Sequence, residues 1–546
     1  MASQIASDVS LAKEEISSEV NAAVSLANEE ISSEVSAAVS LANEEISNEV
    51  SAAVSLTRFI LLRNAHSPML LGIVKGDPTY LKNYVKFNTP TVGMLEARFE
   101  VHKSTTENMV HIRSCYNNRY LTLEDDEDFV VAKAENTEED QSKRSCTLFY
   151  PTRSTDSSNR LFNAHLGKRL CFWRSDNVNR GLLTASLRAD QPAGDYEDVF
   201  TFIDWESLVI LPRYVAFHNS KYLKGAKLGD LNYYLQFSQE YVTSAPNDVG
   251  NEIIQTADRY IHIRNMYWNK HWASRGQAAG EAIKADSNTL NNLTLFEAVN
   301  LGDDTIGLKN VAENKFCKSL SFGNFLVADM ASINAEGTFK VRELVKERRI
   351  TNYDFHLDNA RIYNETIQEM DTNIYINNTS TPEKHMFNLE IKEVNTTTWS
   401  NSISLKFSYT SSVSVGIPGI AEGTVTIGAE VSDNYTWGAT QTKETKTTKG
   451  YEKEVLPGTR VVMRVISTRG LCDVPFSYTL RDVLYTGDTI VKVVDDGIFT
   501  GGNNYFYEVQ SSEGPANPNP ADNINAEPEW KTIGKLSESW ELIPVE

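Results

Sequence analysis

The sequence predicts a mainly β protein with a helical N-terminal repeat segment, two β-trefoil domains and an elongated antiparallel β domain. Three observations carry that expectation. Residues 10–54 are three copies of a fifteen-residue unit, residues 58–346 hold a motif duplicated about 150 residues apart, and residues 402–440 alternate apolar and polar side chains along two arms.

A chain of 546 residues is too long for one core. The composition shifts divide it into 1–56 (helical repeats), 58–206 and 210–346 (the trefoils) and 347–546 (the C-terminal domain). A mean hydropathy of -0.36 with 41% hydrophobic residues is that of a soluble globular protein. No apolar run approaches the ~20 residues of a spanning helix and the N-terminus lacks a signal-peptide pattern, so the expected location is cytoplasmic, with membrane association only after assembly. Cys115, Cys146, Cys171, Cys317 and Cys472 are scattered without C-x-x-C spacing, which predicts buried thiols and no metal or other cofactor. The net charge of -21 argues against nucleic acid as a partner and against a purely electrostatic hold on anionic lipid. Membrane binding then requires a receptor or apolar insertion.

In the N-terminal repeats Ala12, Ile16, Val20 and Ala23 recur in each copy at steps of four, four, three and four. That is about 3.75 residues per turn against ~3.6 for a straight helix, so a seam along these positions supercoils right-handedly. The small Ala and polar Ser and Asn make the seam weak, and a surface-lying or frayed helix competes with a coiled coil. The segment either associates protomers or is a dispensable tail.

In the middle of the chain Val110-His111-Ile112-Arg113 returns as Ile261-His262-Ile263-Arg264, and Cys146-Thr147-Leu148-Phe149 returns as Leu293-Thr294-Leu295-Phe296. Each half also repeats internally. A turn residue followed by an aromatic or apolar residue occurs at Thr79-Tyr80-Leu81, Asn118-Arg119-Tyr120, Gly167-Lys168-Arg169-Leu170, Ser220-Lys221-Tyr222, Asn269-Lys270-His271 and Asn314-Lys315-Phe316, at spacings of roughly 40 to 53 residues. Three four-strand units per domain suit a trefoil better than a propeller. Most of these aromatics are expected to pack the core, and each Asn or Gly to turn a hairpin.

The block from His111 to Leu121, Cys146-Thr147-Leu148-Phe149, Asp198-Val199-Phe200 and Ile203-Asp204-Trp205 together resemble the amaranthin family of plant lectins, which consist of two tandem β-trefoils. The resemblance covers about 58–346. It implies binding of galactose and N-acetylgalactosamine glycans in a site shared between the first domain of one subunit and the second domain of its partner, and a role in plant defence. The family's sugar-contacting loop corresponds to Glu124 to Phe129, where Asp125, Asp126, Glu127 and Asp128 replace the Asn, His and aromatic residues of the family. Carboxylates accept hydrogen bonds from sugar hydroxyls and Phe129 can stack on a pyranose, although such an acidic cluster is equally a solvated turn. The candidate carbohydrate-binding residues are Asp126, Glu127, Asp128 and Phe129, with Tyr267, Trp268 and His271 in the second domain.

The C-terminal domain is Thr- and Ser-rich and strand-like. From Ser402 to Thr440 the odd positions are mostly apolar and the even ones small or polar, with Pro418 to Gly423 as the expected turn and Ile417 opposite Val425, Val415 opposite Ile427 and Val413 opposite Ala429. This hairpin, followed by Val455-Leu456-Pro457-Gly458-Thr459 and an expected turn at Asp495 to Gly502, is similar to the aerolysin family of β-pore-forming toxins. Alternation alone also fits an ordinary antiparallel sheet. On the membrane reading Val413, Val415, Ile417, Val425, Ile427, Ala429 and Val431 face lipid, and Tyr409, Tyr435 and Trp437 form an interfacial girdle. Tyr409 to Ile417 spans ~26 Å of strand, close to the ~25 Å apolar band. A lone hairpin would leave its outer backbone groups unpaired in lipid at several kcal/mol each, so a homo-oligomer must close the barrel.

An enzyme is not expected. The nine His are dispersed, and no H-E-x-x-H, G-x-S-x-G or phosphate-binding loop is present. The rival to a pore former is a non-lytic oligomeric lectin or storage protein.

Overall fold

The structure is a computed structural model, which describes residues 50–76, 79–154, 157–174, 179–187, 197–228, 231–276, 282–402, 410–516, 529–536 and 542–544. The protein is mainly β. The described strands form sheets of 13, 12, 8 and 2 strands. They fall into two compact units, one running to Val92 and from Glu96 to Leu208, the other comprising Gly93–Leu95 and Val209–Glu546.

Residues 1–49 of the expected helical repeats lie outside the described residues. The end of the third copy corrects that expectation, because Val50–Ala53 is a strand. It pairs with Leu148–Ser154, Val50 opposite Ser154 and Ala53 opposite Thr152. The open edge of Leu148–Ser154 satisfies the backbone of this short stretch.

In the first unit six strands close a ring. Phe59–Asn64 pairs with Phe99–Lys103, which pairs with Val110–Ser114, then Leu148–Ser154, Asn159–Asn163 and Phe200–Asp204, which returns to Phe59–Asn64. Three hairpins attach to it: Leu70–Ile73 with Val85–Thr89, Tyr120–Leu123 with Val130–Ala134, and Lys168–Phe172 with Leu183–Leu187. The ring encloses an apolar core that includes Ile60, Leu62, Phe99, Ile112, Phe149 and Leu161. Strands of the second unit repeat this plan from Tyr214–Asn219 to Phe339–Glu343, again with first strand paired to last and three hairpins.

Local chemistry explains the repetition. Asn118, Gly167, Ser220, Asn269 and Asn314, five of the six expected turn sites, have φ between 52° and 60°. This left-handed region is one that Asn and Gly adopt at little cost. A second repeated feature precedes them. Strands ending at Asn64, Ser114, Asn163, Asn265 and Asn310 each aim a buried side-chain oxygen at a backbone N–H two or three residues on, locking the turn. The duplicated motifs lock each other. The His111 ring contacts the Thr147 hydroxyl at 2.8 Å and the His262 ring contacts that of Thr294 at 3.0 Å. These histidines hold strands together inside the fold.

Beyond Leu344 the strands lengthen. Thr459–Leu484 (26 residues) and Thr489–Pro515 (27 residues) pair along most of their length, ~80 Å of extended chain. Val345–Phe355 and Arg361–Ile376 share the other edge of the first, while Glu383–Ser400 joins the second to Thr440–Val455. That last strand is the sheet's edge, and its Lys and Glu pair with the neighbouring strand (Lys384 to Glu452, Lys446 to Glu390), a charged edge that discourages pairing with another chain.

The expected turn at Asp495 to Gly502 is corrected, since these residues run inside the strand Thr489–Pro515. Its glycines make room rather than turns. A Cβ on Gly497 would lie 2.5 Å from the Phe476 ring, and one on Gly502 would lie 2.6 Å from Leu471 and Thr396. Arg348, bound to Glu343 and Asp482 at 2.7 Å each, ties the 12-stranded and 8-stranded sheets together.

Candidate functional site

The acidic loop of the first unit is closed by the Glu124 N–H donating to the Phe129 carbonyl at 2.9 Å. Three cations tie it down. Lys133 reaches Glu124 at 3.0 Å and Asp125 at 2.8 Å, Lys168 reaches Asp128 at 2.9 Å, and Arg144 donates to the Glu124 carbonyl at 2.7 Å and lies 3.4 Å from Asp128. Lys133 holds the Asp125 carboxyl below its usual range. Asp126 and Glu127 stay exposed at the tip. Phe129 is half-buried, edge-on to Trp173 at 5.4 Å and tilted against Tyr84 at 6.2 Å. Burial, then the charges of Glu124 and Glu127, push the Tyr84 hydroxyl up to about 12, so it remains a donor. The loop therefore presents two free carboxylates over a packed aromatic base, with the Phe129 ring engaged from the side.

In the second unit the structure brings Tyr267 and Trp268 together at 4.8 Å, with Tyr267 50% exposed. The ring neighbour of His271 is instead His262, at 6.5 Å. Burial, then the charges of His262 and Arg264, hold the His271 imidazole below its ordinary value. Sequence reasoning missed Tyr233, whose ring lies 4.7 Å from Trp268, because Leu231–Gln239 reads as an ordinary strand.

The hairpin is present, as Thr410–Ala421 and Thr424–Thr436. Its turn and register differ from expectation. Glu422 (φ 49°) and Gly423 (φ 77°) form a two-residue turn, the positive-φ pair that matches strand twist. Pro418 lies in the strand opposite Ile427, next to a register shift after Gly416, and Val415 faces Val431 rather than Ile427. Pro has no N–H to give a ladder, which suits it to such an irregularity. Up to the shift the slip is even, so the odd positions stay on one face. Beyond it Ile420, an even position, takes over the apolar face opposite Val425.

That face is largely covered. Val413 and Ile420 are buried, and Val415, Ile417 and Val425 pack on the same cluster. Tyr435 and Trp437 are buried there against Trp399, at 5.6 and 6.2 Å, and not at the surface. Ile427 and Ala429 are exposed, because the first arm rather than the second lies against the long strands. Tyr409 lies outside the described residues, as do Phe407 and Leu405; the side chain of Val431 is likewise outside them.

The two arms pair with each other and form a sheet of their own. Polar contacts fix them to the long sheet at the tip, where the Asn503 amide accepts from the Ile420 N–H at 2.9 Å and donates to the Ile420 carbonyl at 2.8 Å. The Ile420 side chain sits over Gly470, where an added Cβ would lie 3.0 Å away. At the base, the Ser402 hydroxyl donates to Asp496 at 2.6 Å.

Among the described residues no group of three or more His, Cys, Asp or Glu is arranged to hold a metal, and no helix is long and apolar enough to cross a membrane. A cavity of about 680 Å³ in the first unit is lined by residues including Arg58, Glu100, His102 and Met109, none of them a predicted site residue.

Residues 75–178 match the family model of the Agglutinin domain, and the acidic loop with its three cations falls inside that stretch. No curated protein matches the chain. Solved structures similar to this chain include a mosquitocidal holotoxin (11% identity, TM-score 0.25, 56% of this chain and 36% of that one), a lamprey immune protein (13%, 0.28, 57% and 94%) and the parasporin-2 toxin of Bacillus thuringiensis (18%, 0.19, 31% and 74%). The chain thus spans about a third of the holotoxin's length. At these TM-scores the structural likenesses carry no argument.

Proposed function

We propose that the chain is a glycan-binding lectin that carries a β-barrel pore-forming module to glycan-bearing membranes. The Agglutinin-domain match at residues 75–178 supports glycan binding in the first unit. The two six-strand rings with three hairpins each support reading 58–206 and 210–346 as β-trefoils. Galactose or N-acetylgalactosamine glycans and a setting in plant defence follow from the lectin resemblance. Asp126, Glu127, Asp128 and Phe129, with Tyr267, Trp268 and His271, remain the proposed contacts.

The observation that carries the pore-forming half is that the hairpin is a separate two-stranded sheet. Among the described residues no main-chain ladder joins it to the long sheet. Its release gives up the apolar packing around Val413, Ile420, Tyr435 and Trp437 together with side-chain contacts such as those of Asn503 and Gln441, and a membrane returns the apolar term. Side-by-side hairpins from a homo-oligomer then close the barrel, with Ser, Thr and Gly toward water. Tyr409, Tyr435 and Trp437 become the interfacial girdle once released.

Dye-loaded vesicles displaying a bound glycan test this. The intact protein should release dye, and a variant lacking 411–431 should bind the same vesicles without release. Release by the deletion variant would defeat the pore reading, and binding without release by the intact protein would favour the non-lytic lectin.

A further inference from the structure

In the second unit an aromatic cluster is built at a backbone cost. Tyr233 has φ 69°, a left-handed conformation that a bulky residue occupies only at about 1–3 kcal/mol and that tends to persist where function requires it. The strain delivers its ring to 4.7 Å from Trp268, inclined by 59°. Trp268 stands 4.8 Å from Tyr267, which is half exposed. Close packing supports the shelf from behind: a Cβ on Gly225 would lie 2.7 Å from the Trp268 indole nitrogen, so only glycine admits the ring there. The Trp268 backbone N–H is fixed by the buried Asn265 side chain at 3.2 Å. On the rim, the Lys270 ammonium sits 5.7 Å from the Tyr233 ring centre and donates to Asn288 at 2.8 Å.

Partly exposed rings inclined to one another by 59° and 72°, with an ammonium and an amide beside them, set apolar faces and polar groups side by side. That arrangement matches a ligand with a flat C–H face and a girdle of hydroxyls, which is the surface of a pyranose. We propose that Tyr233, Tyr267 and Trp268 form a pyranose-binding platform, with Lys270 and Asn288 as its hydroxyl-binding rim, complete within one chain and outside the stretch that matches the Agglutinin domain. This rests on the glycan-binding reading and adds Tyr233, Lys270 and Asn288 to the second-unit contacts proposed there. The acidic loop of the first unit, with carboxylates and no open aromatic face, would recognise a different part of a glycan.

The test uses the full chain on an array of immobilised glycans. Tyr233→Gly removes the ring while glycine takes φ 69° without strain, so the variant keeps its fold. Tyr267→Ala truncates a half-exposed side chain and leaves the core alone. Each should weaken binding to at least one glycan by about tenfold, whereas Phe322→Ala, which removes an exposed ring of the same unit outside the cluster, leaves that glycan bound. Parent-like profiles for both tyrosine variants would overturn the platform and leave glycan binding standing. An array on which the parent binds nothing would overturn the glycan-binding reading and the platform with it.

Discussion

Replacing Asn503 by Ala should loosen the hairpin Thr410–Thr436 without disturbing the long sheet. The Asn503 amide satisfies both backbone groups of Ile420, while its own backbone pairs with Gly470 in the ladder and is untouched by the substitution. Losing the side chain leaves a partly buried N–H and C=O unpartnered, at about 1 kcal/mol or more each, so docking weakens by about 2 kcal/mol and opening becomes roughly 30-fold more frequent. The four buried side chains Val413, Ile420, Tyr435 and Trp437 contribute more, ~1.5–3 kcal/mol apiece, so the hairpin stays docked on average. Amide hydrogen exchange reads this directly: peptides from 410–436 should exchange about 30-fold faster while those from 459–484 keep their protection. Unchanged exchange in the hairpin, or an equal acceleration in both regions, would refute the reasoning.

Two further perturbations follow from buried polar groups. Asp198 is fully buried and pairs with Arg160 at 2.7 Å and Arg169 at 2.8 Å, so Asp198→Ala removes charge-assisted hydrogen bonds from both and should destabilise the first unit by about 1.5–3 kcal/mol, seen as a lower denaturation midpoint for residues 59–204. Burial holds His262 and His271 below the ordinary value of 6.5, and His218 likewise, so the folded state binds fewer protons than the unfolded one. Stability of the sheet from Tyr214 to Glu343 should therefore be fully present above that value and fall as pH drops through it toward the lower folded values. Thermal melts at constant ionic strength check the sign, and a midpoint that rises on acidification in this range would contradict it.

Much of the architecture was legible because it is local. Asn118, Gly167, Ser220, Asn269 and Asn314 announce turns by their residue type, and each occupies the left-handed region that such residues tolerate. The strand-end locks at Asn64, Ser114, Asn163, Asn265 and Asn310 are local as well, each a short side chain with an acceptor oxygen closing an apolar strand, at steps of 45 to 50 residues within each unit. Where the reading failed, a residue had two uses. Gly497, Gly501 and Gly502 look like a turn, yet they are the space that Phe476, Phe499 and Leu471 occupy. Pro418 and Gly419 look like the hairpin tip, yet Glu422 and Gly423 supply the two consecutive positive φ values and take the turn. The candidate site divides the same way. The acidic run from Asp125 to Asp128 is visible in the sequence, whereas its pairing with Lys133, Arg144 and Lys168 is not.

By itself the sequence determined the β class, the two-fold duplication and the alternation that assigns hairpin side chains to faces, because each depends on neighbours within a strand or on repetition along the chain. Tertiary structure decided whether the apolar face is covered and what holds it. Ile420 and Asn503 are 83 residues apart, and no local preference joins them. Their contact forms only when the long strands bring Asn503 and Gly470 to the hairpin tip, where an amide can replace a missing ladder and a glycine can admit an isoleucine.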